Sequence, residues 1–161
     1  MKTTILYLTV LINALSVGFF FAWSVSVILG TKKVGHSTYL EVMLSINKEI
    51  LNPAFFIVFF GSLITLILST FLEFNHKPTF WLIAASMIVY LIGTFGVTAF
   101  GNVPLNNQLD ILNLTSLDPV ELMNFRLYYE TRWNKFHTIR TVANMISFMG
   151  LLISIFIYNK F

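Results

Sequence analysis

No cysteine occurs among the 161 residues, which excludes disulfides, thiolate catalysis and cysteine-based zinc sites. Charge is almost as scarce. Only 11% of the residues are Asp, Glu, Lys or Arg, against roughly 25% in a soluble domain. That is too little polar surface to cover a water-exposed globule of this size. The net charge of +3 is small and dispersed, which argues against a nucleic-acid partner. The charges that exist are clustered, and none falls within 3–31, 51–72, 78–109 or 141–159.

Apolar residues fill these gaps: the chain is 57% hydrophobic, with a mean hydropathy of +0.79. Each gap holds a run of about 20 residues, the length that crosses roughly 30 Å of hydrocarbon at 1.5 Å per residue. A charge at the bilayer centre costs about 2.5–3.5 kcal/mol on insertion scales, so such gaps are what a spanning helix requires. The expected fold is all-α: an integral membrane four-helix bundle in a single domain over 1–161, with spans at about 5–29, 53–72, 79–100 and 139–158. Met1-Lys2 before an apolar run resembles a signal peptide. The uncharged stretch to Thr31 is longer than the roughly 7–15 residues of an h-region, so the first helix is expected to be retained.

Gly30 ends the first span, and Ser37 or Thr38 is a candidate cap for a helix to about Leu51 with Glu41 in its first turn. Leu40, Met43, Leu44, Ile46, Ile50 and Leu51 give that helix an apolar face, suited to lie in the membrane interface or to extend the second span. Asn52-Pro53 marks a helix boundary. The short 73–77 turn makes the second and third spans an antiparallel pair. Gly93, Gly96, Gly101, Thr94 and Thr98 in the third span are small enough for close helix contact. Residues 102–117 read as a polar loop. Asp118-Pro119-Val120-Glu121 then starts a helix with an N-cap, Pro at the first position and an acid at the third. With no breaker before Gly150, one helix to about Tyr158 is expected, roughly 60 Å long, so that its first half projects from the membrane.

Four spans put 30–52 and 102–137 on one side, opposite the termini and the 73–77 turn, and most distinctive polar residues lie on that shared side. Arg126, Glu130, Trp133, His137, Arg140 and Asn144 follow one another at spacings of 4, 3, 4, 3 and 4 along one helix face. A polar stripe entering a membrane helix should face a bundle interior or a wet cavity. The plainer reading is that Glu130 pairs with Arg126 or Arg132, Trp133 anchors at the interface and Arg140 snorkels. Asn102 and Asn106, in Gly101-Asn102-Val103-Pro104-Leu105-Asn106, either shape a helix-ending turn or offer hydrogen bonds to a ligand. Asn47, alone on an apolar face, is more often a bonded structural amide than a ligand.

Taken together, Asn-x-x-Ile-x-Asn-Pro at 47–53, Gly-Asn-x-Pro-Leu-Asn at 101–106 and Trp-x-x-x-His-x-x-Arg at 133–140 resemble the anthrone oxygenase-like family, small four-helix membrane proteins. Gly18 and Trp23 also suit that pattern. The resemblance implies a membrane oxygenase that converts an anthrone- or quinol-like aromatic without an organic cofactor, with molecular oxygen as co-substrate. On that reading His137 is the general base, Arg140 stabilises the enolate or phenolate, Asn47, Asn102 and Asn106 donate hydrogen bonds, Trp133 stacks on the ring and Glu130 completes the substrate site. Two alternatives stay open. One is a metal-dependent oxidoreductase using His36, Glu41, Glu130 and His137, for which no ligand spacing is present. The other is a non-enzymatic binding or assembly module in which internal salt bridges fill the stripe.

The expected partners are the bilayer and a small hydrophobic ligand, and a homo-oligomer is compatible with the sequence. Seven Lys and Arg (Lys32, Lys33, Lys48, Arg126, Arg132, Lys135, Arg140) lie on the side of the long connections, against Lys2, Lys77 and Lys160 opposite. The positive-inside rule thus slightly favours cytoplasmic connections. Abundant Phe, Ile and Asn without Cys suggests a bacterial plasma membrane.

Overall fold

The structure, a computed structural model, describes residues 2–158; Lys160, counted above on the side of the termini, lies outside the described residues. All regular structure in the described residues is helical. Among the described residues there are five helices: α1 Lys2–Thr31, α2 His36–Glu49, α3 Pro53–Leu72, α4 Lys77–Asp110 and α5 Pro119–Tyr158. A short 3-10 turn at Leu114–Ser116 joins the last two. Helices α1, α3, α4 and α5 are long and apolar enough to cross a membrane. Helix α1 packs on α3 and α5, and α4 packs on the same two.

The starts of α3 and α5 follow from local chemistry. The Asn52 side chain accepts the Phe55 N–H at 3.0 Å, with Pro53 in the first turn, where its missing N–H costs nothing. At α5, Asp118 Oδ1 accepts the N–H groups of Val120 and Glu121, both at 2.8 Å. The Glu121 carboxylate in turn accepts the Asp118 N–H at 2.9 Å, which completes a capping box. Helix α2 starts differently from expectation. It begins at His36 after an extended Gly35, with no side-chain cap. Ser37 falls inside the first turn, where its hydroxyl donates to the Glu41 carboxylate at 2.6 Å.

Helix α2 does not continue into α3. The break at Ile50 to Asn52 turns it back, and it docks on α5 and the end of α4. Tyr39, Leu40 and Met43 of α2 are buried there with Leu105, Leu109, Tyr129 and Trp133.

The second departure is in α4. Instead of ending in a loop near residue 102, the helix runs on through Val103–Asp110. Two segments ahead of that extension, Tyr90–Gly96 and Thr98–Asn102, are π-helical. A π turn already interrupts the i→i−4 ladder, so Pro104, which has no N–H to give to the turn before it, is accommodated without ending the helix. Helix α1 has a matching π turn at Trp23–Val27.

Polarity is distributed in reverse of a water-soluble domain. Leu11, Ile57, Trp81, Ile92 and Phe156 face outward, while Thr9, Asn13, Ser16, Ser69, Asn144 and Ser154 are buried between helices.

Candidate functional site

Below α2 the other four helices leave a cavity of about 280 Å³. Residues spaced along three of the helices supply three of its walls. Trp133, His137 and Arg140 stand at i, i+4 and i+7 on α5, Thr98, Asn102 and Asn106 at four-residue steps on α4, and Phe20 and Trp23 one turn apart on α1. Asn47, Lys48, Ile50 and Leu51 at the end of α2, with Phe55 in the first turn of α3, complete it.

Arg140 is the centre of the arrangement. Its side chain is buried, with the residue 8% exposed, and no carboxylate among the described residues pairs with it. Nη2 and Nε lie 3.1 and 3.3 Å from Nδ1 of His137, and Nη1 donates to Thr98 Oγ1 at 3.2 Å. The guanidinium also sits over the rings of Phe20 and Trp133, 4.8 and 5.0 Å from their centroids. The imidazole is held as firmly. Trp133 stacks on it at 5.2 Å with an interplanar angle of 8°, and Nε2 lies 2.9 Å from Ser24 Oγ and 3.3 Å from Thr141 Oγ1.

A second network closes the roof. Asn106 Oδ1 accepts from Trp133 Nε1 at 2.9 Å and from the Tyr129 hydroxyl at 3.0 Å, and Asn47 Nδ2 donates to that hydroxyl at 3.1 Å. Helices α2, α4 and α5 are thus tied together through polar side chains at the cavity. Asn102 Nδ2 donates to the Trp133 carbonyl at 3.2 Å, while its buried Oδ1 has no protein partner.

Residues 42–150 match the family described as Anthrone oxygenase. The chain belongs to the anthrone oxygenase family. No curated protein and no solved structure matches it. The stretch matched to the anthrone oxygenase family carries Asn47, Asn102, Asn106, Trp133, His137 and Arg140; α1, which brings Phe20, Trp23 and Ser24, lies outside it.

Six of the seven site residues expected from sequence therefore come together around one cavity. Glu130 does not. It pairs with Arg126 Nε at 2.9 Å, above the cavity. Arg126 Nη1 donates to the Val34 carbonyl at 2.6 Å and Nη2 to those of Thr31 and Lys32 at 3.3 and 3.4 Å, so this pair caps the end of α1. Tyr39 lies under the same guanidinium at 4.6 Å. Burial pushes its phenol well above the ordinary range, Glu130 and Tyr129 add to the effect and Arg126 opposes it, so Tyr39 stays protonated. The polar stripe of α5 divides: Arg126 and Glu130 clamp a helix end, Trp133, His137 and Arg140 wall the cavity, and Asn144 bonds to Ser16 below it at 2.8 Å.

His36, Glu41, Glu130 and His137 do not assemble as a ligand set; no three His, Asp or Glu side chains converge among the described residues. Ser24, Thr98, Phe20 and Tyr129 are site residues that sequence reasoning missed. Tyr129 was within reach, four residues before Trp133 on the same face. Ser24 and Thr98 lie in π turns, whose altered phase has no signature in the residue types.

Proposed function

We propose that the protein is an integral membrane four-helix bundle that oxygenates a small, planar, anthrone- or quinol-like aromatic with molecular oxygen and no organic cofactor. The observation that carries this reading is Arg140: a buried guanidinium with no carboxylate partner among the described residues, held between aromatic faces on a cavity wall. An uncompensated buried cation costs several kcal/mol, roughly, and such a group within a membrane helix marks a functional site. The matching ligand is a flat anion, its ring against Trp133, Phe20 or Trp23 and its oxygen on the guanidinium.

The depth of the cavity supports a lipid-soluble ligand. The 20 residues of α3 span about 30 Å, one hydrocarbon thickness. Phe55, in its first turn, touches Phe19 at 5.7 Å, and both line the cavity. The cavity floor is therefore level with one edge of the hydrocarbon. Its rim is mixed, with Phe19 and Leu51 exposed on one part and the Lys48–Asp110 ion pair on another. This suits a molecule with an apolar ring system and one ionisable oxygen. The positive-inside bias slightly favours the cytoplasmic side for this edge.

In the proposed chemistry, a C–H beside a ring carbonyl becomes more acidic when the oxygen that takes the charge rests on a fixed cation. Water at the open rim takes the proton, the carbanion gives its electrons to dioxygen to form a C–O bond, and the resulting hydroperoxide loses water, so that a methylene plus dioxygen becomes a carbonyl plus one water. Arg140 stabilises the anion, the Asn106 amide supplies a further donor and His137 supports Arg140. The test is oxygen uptake and quinone formation by detergent-purified protein given an anthrone in air. Turnover by the wild type that falls roughly 10²–10³-fold in Arg140→Gln supports the reading. A folded wild type that binds the anthrone without converting it would make the protein a ligand-binding module, and one that neither binds nor converts it overturns the proposal.

A further inference from the structure

We propose that Ser24 is a positioning residue: by accepting the Nε2 proton of His137 it turns the Nδ1 lone pair onto Arg140, making the imidazole a holder for the guanidinium rather than a base. The value of this device to the protein rests on Arg140 being the anion site, but the proton assignment stands on geometry alone.

A guanidinium has only donors. Because Nη2 and Nε of Arg140 both address Nδ1 of His137, at 3.1 and 3.3 Å, Nδ1 must present a lone pair. A neutral imidazole then carries its proton on Nε2. Two hydroxyls are within reach of that proton, Ser24 Oγ at 2.9 Å and Thr141 Oγ1 at 3.3 Å. Each hydroxyl has one proton, and each has a carbonyl to receive it. Ser24 donates to the Phe20 carbonyl at 3.2 Å and Thr141 to the His137 carbonyl at 2.7 Å. Both oxygens are left with lone pairs, and the shorter contact belongs to Ser24. Every proton in the cluster is then assigned without conflict. The other tautomer sets an imidazole N–H against two guanidinium N–H groups, and its Nε2 lone pair would draw the Ser24 proton away from the Phe20 carbonyl.

The ring has no room to exchange roles, because Trp133 stacks on it at 5.2 Å and Phe20 and Trp23 flank it at 6.0 and 6.3 Å. Ser24 reaches it from the π turn Trp23–Val27, opposite the π turn of α4 that presents Thr98 to the other side of Arg140. Of the five N–H groups of a guanidinium, His137 and Thr98 engage three, which leaves one on each Nη. Those two are what an oxyanion in the cavity would meet.

The experiment begins without any ligand. The protein is labelled at the histidine ring and arginine side-chain nitrogens, and nitrogen NMR is recorded in detergent, with His137→Gln and Arg140→Gln variants assigning the two signals. A protonated Nε2 with an acceptor-type Nδ1 is expected, and the opposite pattern overturns the assignment. Ser24→Ala is then compared with Ser24→Thr, which keeps the hydroxyl. In Ser24→Ala the Arg140 Nε–H resonance should shift or broaden, and binding of β-naphtholate, followed by its fluorescence, should weaken roughly tenfold. Ser24→Thr should restore both. A Ser24→Ala protein with unchanged His137 and Arg140 resonances overturns the proposal. If the wild type fails to bind naphtholate while the resonances move as stated, the positioning role stands and the anion-site reading fails.

Discussion

The same four long helices meet twice, and they meet differently. Toward the 73–77 turn they close. Thr9 bonds Ser69 at 2.8 Å, Tyr90 donates to the Phe59 carbonyl at 2.9 Å and Ser147 donates to that of Ser86 at 2.8 Å. Ser62, Thr65 and Thr70 each return a proton to their own helix. Toward α2 the helices part, and long side chains of Trp, His, Arg and Asn line a space instead of filling it. Both ends bury polar groups. At the closed end hydroxyls meet one another and the backbone at short range, which is how helices associate in an apolar solvent. Single buried oxygens lack a protein partner at both ends, Ser86 Oγ at the closed one and Asn102 Oδ1 at the open one, but at the open end a cation is also buried with no carboxylate beside it among the described residues. Burial of polarity, even without a partner, is therefore no mark of a site in this chain, whereas a buried cation without a counter-charge is.

The strongest way to break that distinction is Arg140→Leu. If the guanidinium is unspent, its removal should lower turnover and naphtholate binding roughly 10²–10³-fold. The unfolding midpoint should stay level or rise, because an unpaired buried charge has been removed. Activity and thermal unfolding measured on one preparation decide it. A large fall in stability would make Arg140 part of the packing, and the two ends would be alike after all.

The closed end calls for the reverse test. A Cβ on Gly93 would collide with Ala143, and one on Gly150 with Ser86, so α4 and α5 touch there at backbone distance. Gly93→Ala should destabilise by about 1–3 kcal/mol, and Ala143→Gly should recover most of that in the double variant, at the roughly 1 kcal/mol cost of a glycine in a helix. Detergent unfolding of the four proteins gives the coupling directly. Naphtholate binding by the folded fraction should not change.

The difference between the ends also explains what could be read from the sequence. The long helices were legible because charge-free runs of membrane length leave few alternatives, and the starts at Asn52 and Asp118 because capping is local chemistry. The stripe on α5 was legible as a shared face, since spacing fixes azimuth. It could not reveal that the face meets three different surroundings, because those come from α1 and α4. The extension of α4 past residue 102 and the placement of Ser24 and Thr98 depend on π turns. A π turn follows from how helices pack around it, and no local pattern of residue types announces it.

Smaller effects sharpen the boundary of the open end. Asp118→Ala removes a cap from the part of α5 that supports α2 and should cost about 1 kcal/mol, with hydrogen exchange rising in its first turns and the cavity unaffected. The smallest effect should be at the rim. The Lys48–Asp110 pair looks like a latch between α2 and the end of α4, but its distance is 3.5 Å and its side chains are 64% and 58% exposed. Such a pair contributes about 0–1 kcal/mol. What holds α2 down is the buried contact of Tyr39, Leu40 and Met43, together with the Asn47–Tyr129 bond. Lys48→Met should therefore leave naphtholate binding unchanged at low and high salt. Asn47→Leu, which leaves the Tyr129 hydroxyl one donor short at the roof, should weaken it. If Lys48→Met instead alters binding in a salt-dependent way, the rim charges take part in ligand capture, and the open end extends outward to include them.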